Sequence, residues 1–160
     1  MQSRKILLLL FSCCITIGLT AQTKSIRITD LEKMIAESKT PLIINFWATY
    51  CGPCIAEMPA FQQLADKYSS KGLKLVFVSL DMRDDYPAKV DSFVAKRKVR
   101  HQVLWLNETD ADYFCPKVDQ KWSGAIPATL LVNKTKGIRR FFEEEMTEQE
   151  LEKEIMAILD

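Results

Sequence analysis

Two cysteines separated by two residues, Cys51 and Cys54, are the side chains of this sequence best suited to chemistry. They follow an apolar stretch at residues 42–47 and stand at the start of a predicted helix. At this spacing the two sulfur atoms can form a disulfide across one helical turn, and the positive end of the helix dipole stabilises a thiolate on Cys51. The pattern therefore predicts a redox-active dithiol.

Zinc binding, haem attachment and a purely structural disulfide are the other uses of such a cysteine pair. A zinc site needs about four ligands, and the only histidine, His101, lies far along the chain. Covalent haem attachment requires a histidine directly after the second cysteine, where this chain has Ile55. We therefore expect no metal and no cofactor, while a structural disulfide stays open as an alternative.

The composition is that of an ordinary globular protein with one hydrophobic core. The chain has 160 residues, of which 48% are apolar and 27% charged, and this length is short for two domains. We expect a single domain over residues 22–160. The formal net charge of +1 gives no reason to expect a nucleic-acid partner, and we expect a monomer.

The first 21 residues have the pattern of a secretory signal peptide. Arg4 and Lys5 form a basic start, residues 6–19 are almost entirely apolar, and Ala21 provides a small residue for cleavage. The apolar stretch is shorter than the roughly 20 residues that a membrane-spanning helix needs. We expect an exported protein, periplasmic in location, with lipidation at Cys13 or Cys14 as the alternative that would anchor it to the membrane.

Two stretches, residues 42–47 and 73–80, are apolar on both faces and predict buried strands, with a helix at 52–70 between them. Such a connection predicts parallel strands in a right-handed unit. The other predicted elements are a helix at 30–38 with a capping box of Thr29 and Glu32, a helix from Pro87, a strand at 101–106, a helical turn at 111–114, an antiparallel hairpin at 129–142 and a last helix capped by Thr147 and Glu150.

The order of these elements and a wider motif around the cysteines resemble a known family. Residues 46–59 read FWATYCGPCIAEMP, an insert occupies residues 81–106, and Pro127 precedes the hairpin. Over residues 42–159 this resembles the exported TlpA/ResA-like thiol-disulfide oxidoreductases of the thioredoxin superfamily, more closely than thioredoxin itself. The resemblance implies an α/β thioredoxin fold, with a central mixed β-sheet flanked by helices and a βα insert in the middle of the chain.

The resemblance also implies a reaction for the cysteine pair. Cys51, at the helix N-terminus, is expected to attack a substrate disulfide, and Cys54 is expected to resolve the mixed disulfide. Gly52 and Pro53 allow a tight turn into the helix and resemble the dipeptide of the reducing members of the fold. We therefore expect a reductase of protein disulfides, with a thiol oxidase or isomerase as the alternative.

The proline before the hairpin is expected to face the cysteines. The resemblance implies that Pro127 is cis and that the backbone of Ile126 pairs with an extended substrate segment, so that recognition depends little on substrate side chains. Trp47 matches the family tryptophan beneath the active site, and we expect both Trp47 and Tyr50 to lie on the substrate side as packing and shielding groups. Tyr50 stands where the family usually has a tryptophan.

A carboxylate near the cysteines has two interpretations. Glu57 follows Cys54 by three residues and matches a family glutamate that tunes proton transfer to the thiols. Asn45 stands where thioredoxin has a buried aspartate, and an amide cannot take the proton, which favours Glu57 for that role. The alternative is an exposed first-turn carboxylate that the helix dipole stabilises.

The resemblance also implies partners. We expect exported protein disulfides as substrates, including apocytochromes that await haem, and a membrane thiol donor that recharges the dithiol. A peroxidase of the same fold is a weaker hypothesis, because Ala48 stands where those enzymes have a threonine and no arginine partner is recognisable. A non-catalytic binding module is a third.

Two further features have no assigned function in the sequence. Cys115 is interpreted as an inert buried thiol, with a third redox cysteine or an intermolecular disulfide as alternatives. Residues 143–145 are three consecutive glutamates that follow the hairpin. We expect their side chains to be solvated. The alternative is that they narrow the substrate groove and favour basic substrates.

Overall fold

The computed structural model describes residues 23–160. In this part of the chain, six strands form one sheet with helices on both faces. The strands are β1 Lys24–Ile26, β2 Leu42–Trp47, β3 Lys74–Ser79, β4 Gln102–Leu106, β5 Ala128–Asn133 and β6 Ile138–Phe142, and the helices are α1 Ile28–Glu37, α2 Gly52–Lys67, α3 Ala88–Arg97, α4 Ala111–Val118 and α5 Glu148–Leu159.

The sheet is mixed, in the order β1-β4-β3-β2-β5-β6. Strand β2 pairs in parallel with β3 and antiparallel with β5, which confirms the predicted strand-helix-strand unit and the mixed sheet. Strands β5 and β6 form the predicted antiparallel hairpin. The insert contributes α3 and β4, and β4 lies between β3 and β1.

Strand β2 is central because both of its faces are apolar. All six of its residues are buried. Ile44 and Phe46 pack in one core cluster with α1 and α4, whereas Ile43 and Trp47 pack in a second cluster with α2 and α5. Since side chains alternate along a strand, the apolar run contributes to both cores at once. The end of β2 lies four residues before Cys51, the residue that caps α2.

The start of the described chain differs from the prediction. Helix α1 begins at Ile28, two residues before the expected start, and the capping box of Thr29 and Glu32 is wrong. The backbone N–H of Arg27 instead donates to the Asp30 carboxylate at 2.9 Å, because a carboxylate in the first turn can satisfy a free backbone donor. Strand β1 was not predicted, since only one of its three residues is buried and no alternation is visible.

The remaining elements agree with the sequence apart from one. Helix α4 has eight residues where a single turn was expected, and the Asp110 carboxylate accepts the N–H of Tyr113 at 3.3 Å at its start. Thr147 and Glu150 form the predicted capping box of α5.

The predicted signal peptide, residues 1–21, lies outside the described residues, as do Cys13 and Cys14. From residue 23 onward, no helix has the length and apolar character that crossing a membrane requires.

Candidate active site

The two cysteines form a disulfide at the point where β2 gives way to α2. Cys51 is the residue that caps α2, its sulfur accepts the backbone N–H of Cys54 at 3.3 Å, and the two Cα atoms are 5.3 Å apart. Cys54 has no exposed surface, whereas Cys51 is 8% exposed, and Gly52 and Pro53 between them are exposed. Among residues 23–160, no group of three or more potential ligands is arranged to hold a metal ion.

The loop before β5 approaches the disulfide, as expected. The peptide bond between Ile126 and Pro127 is cis, which confirms that prediction. The carbonyl oxygen of Ile126 lies 3.8 Å from Cys51 Sγ. Pro127 is buried and Ile126 is half-buried, so the residue whose carbonyl faces Cys51 keeps part of its surface exposed.

Glu57 is buried beneath the site, and the alternative of an exposed first-turn carboxylate is therefore wrong. Its side chain is 4% exposed. Asn45 Nδ2 donates to Glu57 Oε1 at 2.8 Å, and the backbone N–H of Met146 donates to Oε2 at 3.0 Å. Burial raises the pKa of the Glu57 carboxyl to about 7; the Met146 and Asn45 hydrogen bonds oppose this, and the negative charge of Glu145 adds to it.

Asn45 connects three elements at this position. Besides Glu57 on α2, its Nδ2 atom donates to Thr129 Oγ1 on β5 at 3.1 Å. The amide is fully buried in the middle of β2. It therefore ties the carboxylate to the strand that follows Pro127.

The two aromatic residues of the motif have different environments. Trp47 has no exposed surface and packs against Phe93 with ring centroids 4.9 Å apart. This agrees with packing beneath the site, but a side chain without exposed surface cannot contact a docked polypeptide, so its place on the substrate side is wrong. Tyr50 is 58% exposed and is the aromatic side chain next to Cys51 that a substrate can reach.

Asp81 is a site residue that the sequence analysis missed. It is 3% exposed, and its carboxylate accepts the N–H of Thr49 at 3.0 Å and the hydroxyl of Ser79 at 2.8 Å. Trp47 is paired with Ser79 across parallel strands, so the segments that follow the two strands meet at one edge of the sheet. An aspartate just past the end of β3 was the available signal. Its effect is to hold the backbone two residues before Cys51.

The three glutamates after the hairpin are not equivalent. Glu143 is half-exposed and accepts hydrogen bonds from the backbone N–H groups of Ser123 and Ala125, each at 3.0 Å, so this residue has a structural contact in addition to its expected contact with solvent. Glu144 and Glu145 are exposed. No pattern in the sequence indicated a contact between residues 18 to 20 positions apart.

Cys115 lies apart from the redox pair. It is 3% exposed and is a free thiol. Burial, together with the negative charges of Glu143 and Asp112, raises the pKa of this thiol to about 11. A thiol with that pKa is protonated at neutral pH and is a poor nucleophile, which agrees with the inert interpretation.

This chain is similar to a known family and to two curated thiol-disulfide oxidoreductases. The sequence model of the AhpC/TSA family matches residues 15–141. The thiol-disulfide oxidoreductase ResA of Oceanobacillus iheyensis is 44% identical over 57 residues, which cover 36% of this chain and 27% of that protein. ResA of Bacillus cereus is 30% identical over 130 residues, which cover 78% of this chain and 69% of that protein.

A solved structure shows the same fold. The crystal structure of a thioredoxin-related protein from Neisseria meningitidis serogroup B is similar with a TM-score of 0.64 and 25% sequence identity. The similarity covers 78% of this chain and 89% of the Neisseria chain. The sheet and the helices around the cysteine pair are therefore those of the thioredoxin fold.

Proposed function

The chain belongs to the AhpC/TSA family and is a thiol-disulfide oxidoreductase of the thioredoxin fold, and on this premise we propose that it reduces protein disulfides with the dithiol of Cys51 and Cys54. The observation that carries the proposal is the position of Cys51, which is the cysteine of the pair that keeps exposed surface and whose Sγ lies 3.8 Å from the carbonyl oxygen of Ile126. A polypeptide that docks on that backbone brings its own disulfide to the attacking sulfur.

Reduction takes two exchange steps that together transfer two electrons. In the first, the Cys51 thiolate attacks one sulfur of the substrate disulfide; that bond breaks, a mixed disulfide forms, and the released substrate sulfur takes a proton. In the second, the Cys54 thiolate attacks the Cys51 sulfur and releases the second substrate thiol. The substrate gains two electrons and two protons, and the protein is left with its own disulfide.

The order of attack follows from exposure. Cys54 is fully buried, so an incoming polypeptide meets Cys51 first. The backbone N–H of Cys54 points at Cys51 Sγ from 3.3 Å, and the N-terminus of α2 adds its positive dipole end. Both interactions stabilise the thiolate form of Cys51 relative to the thiol in the reduced protein.

The second step requires that Cys54 loses its proton, and Glu57 is the group proposed to take it. A pKa of about 7 leaves Glu57 present in both protonation states near neutral pH, which suits an acid and base catalyst. The donors Asn45 and Met146 hold its two oxygens in fixed positions.

Substrates are proposed to bind as extended segments. The N–H of Ile126 makes no hydrogen bond with residues 23–160, and its carbonyl faces Cys51. Both groups are thus available for strand-like pairing with a polypeptide backbone. Such pairing accepts many sequences, so the proposed substrates are exported proteins with disulfides, including apocytochromes.

Turnover needs a dithiol donor that reduces the Cys51–Cys54 disulfide again, and a membrane thiol protein is proposed for this role. The signal-peptide pattern of residues 1–21 supports export to the periplasm. Gly52 and Pro53 support the reducing direction through the resemblance. Peroxidase activity is not proposed, because Cys51 is paired with Cys54 and Ala48 occupies the place of the expected threonine.

Insulin reduction with dithiothreitol as the electron donor tests this function. The protein is expected to accelerate insulin precipitation over dithiothreitol alone, and Cys51→Ser is expected to abolish the acceleration. Cys54→Ser is expected to accumulate a mixed disulfide with the insulin chain on Cys51, seen by mass spectrometry and released by reductant. A protein that gives neither acceleration nor trapping is not a disulfide reductase.

A further inference from the structure

Glu143 lies against the loop that leads to the cis proline. Its carboxylate accepts the backbone N–H of Ser123 at 3.0 Å, the backbone N–H of Ala125 at 3.0 Å and the Ser123 hydroxyl. The residue follows directly after β6, so a side chain at the end of the hairpin contacts the loop that leads into β5. All three donors point at Oε1, and the Ser123 N–H also lies 3.2 Å from Oε2.

The same loop is held from its other side by Trp122. The indole Nε1 donates to the carbonyl oxygen of Ala125 at 2.9 Å. Trp122 is 5% exposed and packs on Phe46 with ring centroids 4.5 Å apart, so its position is set by the core. Both backbone polar groups of Ala125 are therefore fixed, the carbonyl by Trp122 and the N–H by Glu143.

Fixing Ala125 also fixes the residue that follows it. Ile126 comes next in the chain, and its carbonyl lies 3.8 Å from Cys51 Sγ. Between Ser123 and Ala125 stands Gly124, whose φ of +96° is in the left-handed region that glycine adopts without strain. Such a residue gives the loop conformational freedom, which the two carboxylate contacts on either side restrict.

We infer that Glu143 is a positioning residue for polypeptide substrates, which holds the Ile126 backbone in the orientation required for strand-like pairing beside Cys51. The inference rests on the proposed disulfide reduction and adds to it the group that prepares the docking strand. It predicts that Glu143 affects polypeptides and has little effect on small disulfides, because a small disulfide needs the thiolate and does not need the docking backbone.

The charge of Glu143 supports a permanent contact. Partial burial alone would raise the pKa of this carboxyl, but the hydrogen bonds from Ser123 and Ala125 outweigh it and bring the pKa below the ordinary value. The carboxylate thus remains ionised, and the loop remains held, over the neutral pH range in which thiol exchange is measured.

The test compares Glu143→Ala with Glu144→Ala, which removes the same charge from the exposed neighbouring residue. Two disulfides are used with each reduced protein: insulin as the polypeptide and 5,5′-dithiobis(2-nitrobenzoate) as the small disulfide. Glu143→Ala is expected to raise KM for insulin about tenfold and to leave kcat unchanged. A tenfold change corresponds to a loss of docking free energy similar to the contribution of one charge-assisted hydrogen bond. The rate with the small disulfide is expected to stay within about twofold of the wild-type rate. The reduction potential is expected to equal that of the wild type within experimental error.

Other outcomes separate the possible errors. An unchanged KM for insulin in Glu143→Ala, or an equal change in Glu144→Ala, overturns the positioning role. An equal loss with both disulfides also overturns it, because the defect would then lie in the thiol chemistry or in folding. Ser123→Ala, which removes the hydroxyl but leaves both backbone N–H donors to Glu143, is expected to give a smaller rise of KM in the same direction. If the wild type reduces neither disulfide, the proposed function fails, whatever Glu143 does.

Discussion

Glu57 is expected to make the oxidised protein less stable as the pH rises, and Glu57→Gln is expected to remove that dependence. Burial raises the pKa of this carboxyl from 4.5 to about 7. The folded chain therefore holds a proton on Glu57 over a pH range in which the unfolded chain has lost it. The stability that the protonated group contributes is complete below pH 4.5 and is lost as the pH rises through about 7.

The size of the effect follows from the two pKa values. The difference between 4.5 and about 7 corresponds to roughly 3 kcal/mol. Most of this, about 2 to 3 kcal/mol, falls between about pH 5 and pH 8. Glutamine keeps the shape and carries no charge, so the free energy of unfolding of the variant minus that of the wild type should increase by this amount over the same range.

Urea unfolding of the oxidised wild type and variant, monitored by tryptophan fluorescence at about pH 5 and about pH 8, measures this difference. Glu144→Gln serves as the control, because Glu144 is exposed and its neutralisation should leave the pH dependence of the wild type unchanged. A constant difference between wild type and Glu57→Gln from pH 5 to pH 8 would refute the assignment of a raised pKa to a buried Glu57.

Three further predictions concern the same site and its surroundings. Asp81→Ala leaves the Thr49 N–H and the Ser79 hydroxyl without their buried carboxylate, so the free energy of unfolding is expected to fall by roughly 3 kcal/mol; unchanged urea unfolding would contradict the bracing of that segment. Cys115, with a pKa of about 11, is expected to react with iodoacetamide at pH 8 much more slowly than a solvent-exposed cysteine, and fast labelling of the folded protein would show that it is reactive. In the reduced protein, Glu57→Gln is expected to change the pH profile of thiol alkylation, and an identical profile removes its role in proton transfer.

Much of the fold could be predicted because the central elements have strong local patterns. Strand β2 is apolar on both faces, so its burial and its central place in the sheet follow from the residues alone. The capping box of Thr147 and Glu150 marks the start of α5 in the same local way. Strand β1 has only three residues, one of them buried, and its pairing with β4 is set by tertiary contact. No periodicity could have indicated it.

In the site, too, the local arrangements could be predicted from the sequence and the tertiary contacts could not. Spacing identifies Cys51 and Cys54, because a disulfide across one helical turn is a local arrangement. The burial of Glu57 depends on the segment around Met146, which lies 89 residues further along the chain, and this decides between the two interpretations that the sequence left open. The contacts of Glu143 with Ser123 and Ala125, and that of Asp81 with Thr49, could not be predicted for the same reason, since these partners are close in space and distant in sequence.

The reduction potential of the Cys51–Cys54 couple tests the central claim most directly. Equilibration of the protein with a dithiothreitol redox buffer, with the two states separated after alkylation, gives the value. A reductase of protein disulfides is expected to have a potential near that of thioredoxin, about −270 mV. A value near the strongly oxidising end, about −120 mV, would contradict it and make the protein a thiol oxidase.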